Sequence, residues 1–138
     1  MAAIVRIVCE GQSENAFVRN LLTEYVGELT SWSVNILPTT LTTSKDRKAG
    51  CVFRGGLINY EKAKNEIVVH MSSGDYVTTM FDFYALPDSF PDFKEAESYA
   101  RDIDKVIKLE EALYKDIVDS IPGCRNDRFI PYIEMHEF

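Results

Sequence analysis

The sequence is poor in the features that staple small secreted or metal-built domains. Its three cysteines, Cys9, Cys51 and Cys124, are odd in number, far apart and form no CxxC pair. That spacing excludes a disulfide framework and a structural zinc site and leaves reduced thiols. Long apolar runs are missing as well. No window approaches the ~20 apolar residues of a membrane-spanning helix, and the apolar part of "MAAIVRIVCEG" is too short for a signal peptide. The chain is therefore expected to be cytoplasmic, with no membrane partner. Basic charge is scarce, with 15 Lys and Arg against 22 Asp and Glu and a net charge of −7, which argues against coating nucleic acid by bulk charge. No low-complexity tract is present, and the 5 prolines and 7 glycines fall between patterned segments, which excludes a disordered chain. The single tryptophan and the tyrosines do not interleave with basic residues as a stacking platform for single strands would require.

What is present is enough for one domain covering residues 1–138, since 46% of the residues are hydrophobic and domains of roughly 100–150 residues are common. "AAIVRIVCE" reads as a strand buried on both sides. Helical spacing follows from Ser13, a plausible N-cap, to about Leu29. "SWSVNIL" (31–37) alternates as a second strand stopped by Pro38, and "LINYEKAKNEIVVHM" as a second helix ending at Ser72 to Gly74. "DYVTTMFD" (75–82) is a third strand, and the two prolines of "FYALPDSFPDF" exclude regular structure after it. A long helix, or two in succession, spans about Phe93 to Ile121, and "RFIPYIEMHEF" supplies a fourth strand.

Strands alternating with helices imply a mostly parallel four-stranded sheet with helices on both faces, an α/β fold. Ligands of such sheets bind beyond the carboxyl ends of the strands. Glu10 and Asp82 fall there, and the end of the fourth strand brings Glu134, His136 and Glu137 to the same rim. Converging carboxylates repel unless one holds a proton or a cation neutralises them. A hard divalent ion, Mg²⁺ or Mn²⁺, held by few carboxylates and several waters is the corresponding cofactor, and its chemistry is phosphoryl transfer or hydrolysis. The competing account is that acids at loop starts merely cap helices or stay solvated. Nearby, Lys45, Arg47, Lys48 and Arg54 concentrate positive charge in one segment. It is either a solvated loop or a contact for a phosphate backbone of DNA or RNA.

Three blocks, "CEGQSENAFV", "TTMFDFYALPDSFP" and "RFIPYIEMHEF", resemble successive blocks of the bacterial domain-of-unknown-function 4276 family. That family is grouped with the Toprim-like fold of topoisomerases, primases and overcoming-lysogenization-defect nucleases. The resemblance implies a Toprim-like fold and a metal-dependent nuclease, in a phage-defence or mobile-element setting beside a neighbouring ATPase. It implies that Glu10 is the general acid or base and that Asp82 is the metal-holding first acid of the "DxD" pair. Tyr84 occupies the second acid's place, so Asp88, Glu134 or Glu137 would replace the missing ligand. Glu137 is favoured because "HEF" recurs in the family, with His136 beside it as a ligand or base. Family members continue past "HEF" through another helical segment, so the chain is expected to be truncated at its C-terminus. A rival expectation is a non-catalytic Toprim-like module that partners an ATPase. A sheet this small could also leave an apolar face for a second copy to cover, giving a homo-oligomer.

Overall fold

The computed structural model describes residues 2–41, 59–123 and 126–135. The chain opens with β1 (Ala3–Cys9), whose β-branched run forms the centre of the sheet. It turns at Glu10 and Gly11 into α1 (Gln12–Phe17), which continues through a π-helical turn (Val18–Leu22) into α2 (Thr23–Leu29). The Thr23 hydroxyl donates into this turn, 2.9 Å from the Val18 carbonyl and 3.0 Å from that of Ile36. Gly11, not Ser13, is the N-cap, since the Asn15 N–H closes the first turn on the Gly11 carbonyl.

The second strand is β2 (Val34–Thr40), displaced from the expected 31–37 at both ends. Ser31 and Trp32 are taken up by a left-handed turn that closes α2, with the Trp32 N–H donating to the Gly27 carbonyl. Pro38 lies inside the strand rather than after it. β2 ends the strand order and pairs with β1 alone among the described residues, so a residue without an N–H costs no ladder bond on the outer side.

Then come α3 (Tyr60–Ser72), capped by the Asn59 side chain, and β3 (Tyr76–Asp82). A single 3₁₀ turn (Phe83–Ala85) follows despite the nearby prolines, because the Asp82 carboxylate caps it. The long apolar pattern resolves into two helices, α4 (Phe93–Glu97) and α5 (Asp102–Ser120). The expected fourth strand is broken into β4 (Phe129–Ile130) and β5 (Ile133–Glu134), so the sheet has five strands. Pro131 causes the break, and Thr79 bridges it. Its hydroxyl donates to the Tyr132 carbonyl at 2.8 Å and accepts the Tyr132 N–H at 2.9 Å.

The order is β2-β1-β3-β4, with β5 also beside β3, and every pairing is parallel. Val8, Val77, Phe81, Phe129 and Ile133 point to one face, packed against Ile67 of α3 and Leu109, Leu113 and Ile117 of α5. Ile7, Cys9 and Ile36 point to the other, packed against Val18 with Phe17, Leu22 and Val26. The α/β architecture with helices on both faces is therefore as the alternation implied. No helix among the described residues is long and apolar enough to cross a membrane.

Candidate functional site

At the carboxyl ends of β1 and β3 the chain turns away from the sheet, and both turns carry an acid at their first residue. Glu10 is 3% exposed, and its Oε2 accepts the backbone N–H of Asp82 at 2.7 Å, tying the two turns together. Asp82 is half-buried, and its Oδ1 accepts the Tyr84 N–H at 2.9 Å. The capping account of acids at loop starts therefore holds for Asp82.

The third acid arrives by strand register. β5 places Glu134 directly opposite Asp82, and the start of β5 is fixed by the Ile133 N–H donating to Glu110 of α5 at 2.9 Å. Glu134 is 7% exposed, and among the described residues its Oε1 has no hydrogen-bond partner. Burial, then the charges of Glu14, Asp82 and Glu10, push its carboxyl from the ordinary 4.5 up to about 7. Cys9, at the end of β1, feels the same field. Burial first, then Glu14, with a smaller push from Glu134, raises its thiol to about 12, so it is not a thiolate nucleophile near neutral pH.

Three carboxylates, Glu14, Asp82 and Glu10, thus bear on Glu134 at one end of the sheet. Glu14 is the residue that sequence reasoning missed as a site member. It lies in the first turn of α1, where an acid is ordinarily read as complementing the helix dipole, and no spacing rule marks it as facing the strand ends. Of the other expected residues, Tyr84 is exposed and meets Phe83 edge-on, with ring centroids 5.0 Å apart, and Asp88 is exposed. Glu137, His136, Lys45, Arg47, Lys48 and Arg54 lie outside the described residues.

The donor set is all carboxylate oxygen, which suits a hard divalent cation, and Glu134 keeps a buried oxygen with no hydrogen-bond partner among the described residues. In charge and chemistry the acids fit such an ion. In closeness they do not yet, because among the described residues no three His, Cys, Asp or Glu side chains group tightly enough to hold a metal. Glu10 is instead turned to the Asp82 backbone.

No curated protein and no solved structure matches this chain. A family model described as a domain of unknown function does match, over residues 9–138, a span that includes all four acids of the rim. The chain therefore belongs to the DUF4276 family.

Proposed function

We propose that this chain is a Toprim-like, divalent-cation-dependent enzyme that cleaves phosphodiester bonds of DNA or RNA. The observation that carries the proposal is Glu134, a carboxylate buried among three others with an oxygen unpartnered among the described residues. Burying mutually repelling carboxylates is costly unless a cation or a proton compensates. Glu134 and Asp82 would hold the ion, with Glu137 from outside the described residues completing the set. A bound Mg²⁺ or Mn²⁺ would supply charge neutralisation at a phosphate and a more acidic water.

The remaining roles belong to the chain's own groups. Glu10 is the proton donor or acceptor, held at the rim by the Asp82 N–H. The sealed interior beneath the rim, Cys9 and Phe81 among it, lowers the local dielectric and strengthens each charge interaction above. Lys45, Arg47, Lys48 and Arg54 are assigned to the phosphate backbone, where they would supply the positive charge that the chain as a whole lacks. A phage-defence or mobile-element setting with a neighbouring ATPase belongs to the same proposal.

The test is cleavage of labelled single- and double-stranded DNA and RNA with Mn²⁺ or Mg²⁺, against chelator. Glu10→Gln and Asp82→Asn are expected to reduce the rate by about 10²-fold or more, the usual range for losing an acid–base group. Cleavage that persists in both variants would refute the assignment. The second reading, a non-catalytic module that binds an ATPase, is favoured by one observation: Tyr84 stands where a second metal-holding acid would be. It predicts no metal-dependent cleavage and no phenotype for either substitution in a folded protein.

A further inference from the structure

β1 sends the chain into α1 on one face of the sheet, while its neighbours β2 and β3 lead on to α3 and α5 on the other. Crevices open at the carboxyl edge of a parallel sheet where neighbouring strands diverge in this way. The crevice between β1 and β3 holds the acidic rim. The crevice between β1 and β2 holds a different set, built on Thr40, which strand register places opposite Cys9, the residue before Glu10. Asn15 of α1 donates through Nδ2 to the Thr40 hydroxyl at 2.6 Å, and its Oδ1 accepts from Nη1 of Arg19 at 3.2 Å. Both ends of the Asn15 amide are thus used, and the second end holds a guanidinium beside the first turn of α1, the turn that carries Glu14. Arg19 itself is exposed and belongs to the π-helical turn.

We infer that Arg19, oriented by Asn15 on Thr40, is a subsite for a backbone phosphate of the nucleic-acid substrate, next to the phosphodiester that the rim would cleave. The identity of the ligand rests on the proposed function, whereas the subsite needs no metal. Arg6, Lys64, Arg101, Lys105 and Lys108 each face a carboxylate. Arg19 makes no ion pair among the described residues, and its one hydrogen bond there goes to a neutral amide. A guanidinium held at one corner, with the rest of its donor fork open, is suited to grip phosphate oxygens in pairs. As an i,i+4 pair on a helix, Asn15 and Arg19 would add only a few tenths of a kcal/mol. The anchor on Thr40 does more, because it ties the pair to the sheet edge where the acids stand. A cation one crevice away from mutually repelling carboxylates draws a polyanion across the edge without neutralising the acids themselves.

The test is equilibrium binding of a fluorescein-labelled oligothymidylate of about twelve nucleotides, within the span one single-strand site covers, to the whole chain at several salt concentrations. Arg19→Gln should weaken binding by about tenfold, as expected for a lost charge-assisted contact, and lower the slope of log affinity against log salt by about 0.7. Asn15→Ala leaves the charge but frees it, so it should weaken binding with the slope unchanged. Arg19 is exposed, and melting curves on both variants confirm folding. Each titration is run in chelator and again in Ca²⁺, an ion that takes oxygen ligands. The Arg19 effect is expected in both conditions, with tighter binding in Ca²⁺ if the rim takes up the ion. An Arg19 effect without any gain from Ca²⁺ upholds this inference and counts against the metal rim. No binding in either condition, wild-type affinity in Arg19→Gln, or insensitivity to Asn15→Ala overturns it.

Discussion

Glu134 sets the behaviour of the site at the scale of single residues. Its carboxyl is raised from 4.5 to about 7, so the folded chain retains a proton that the unfolded chain gives up above 4.5. This group's contribution to stability is fully present below pH 4.5, is lost as pH rises towards about 7, and changes no further beyond that. The melting temperature of the metal-free protein is therefore expected to fall across that window, and Glu134→Gln should lessen the fall while leaving stability at low pH nearly unchanged. A pH series of thermal melts on both proteins checks this. A second residue-scale prediction concerns Gly27, whose missing Cβ makes room for the Trp32 ring. Gly27→Ala should destabilise by about 1–3 kcal/mol through overpacking and loss of the turn, measured by urea unfolding. Glu10 and Asp82 were legible in the sequence because an acid that ends an apolar strand is a positional signal. Glu14 was not, because its closeness to Glu134 arises from how α1 leaves β1, a tertiary relation that helix periodicity does not encode.

At the scale of elements, the broken final strand positions the site. β5 is two residues long, and it holds Glu134 opposite Asp82 only because Thr79 bridges the gap at Pro131 and Glu110 receives the Ile133 N–H. Thr79 is 1% exposed, so Thr79→Val would leave the Tyr132 N–H and carbonyl without their side-chain partner. The expected cost is about 1–3 kcal/mol, read by urea unfolding, together with weaker divalent-ion binding that a remote core substitution of equal cost would not produce. The order and type of the main elements were legible from periodicity, since α3 and α5 bury one face each. Boundaries near proline were not. Pro38 sits within β2 because β2 ends the strand order, and Pro131 splits a strand because β4 and β5 lean on side-chain bonds instead. Both outcomes depend on where a strand lies in the sheet, which local sequence does not specify.

At the scale of the whole molecule, an all-parallel sheet carries acids on one rim while the chain has a net charge of −7. Under the proposed function, repulsion of a polyanionic substrate would have to be offset locally. If Lys45, Arg47, Lys48 and Arg54 supply that offset, nucleic-acid affinity should fall steeply with salt. Replacing two of them by Gln should lower the slope of log affinity against log salt by about 1.4–1.8, at roughly 0.7–0.9 per phosphate contact. Equilibrium binding at several salt concentrations measures it. The central claim is that the rim is a divalent-cation site, and it is tested most directly by calorimetric titration of Mg²⁺ and Mn²⁺ into the wild type, Glu134→Gln and Asp82→Asn. Binding by the wild type that weakens as pH falls below about 7, where Glu134 gains its proton, and that is lost in Glu134→Gln and reduced in Asp82→Asn, is the predicted result. A folded wild type that takes up neither ion, or a Glu134→Gln variant that binds as well as the wild type, would contradict the account.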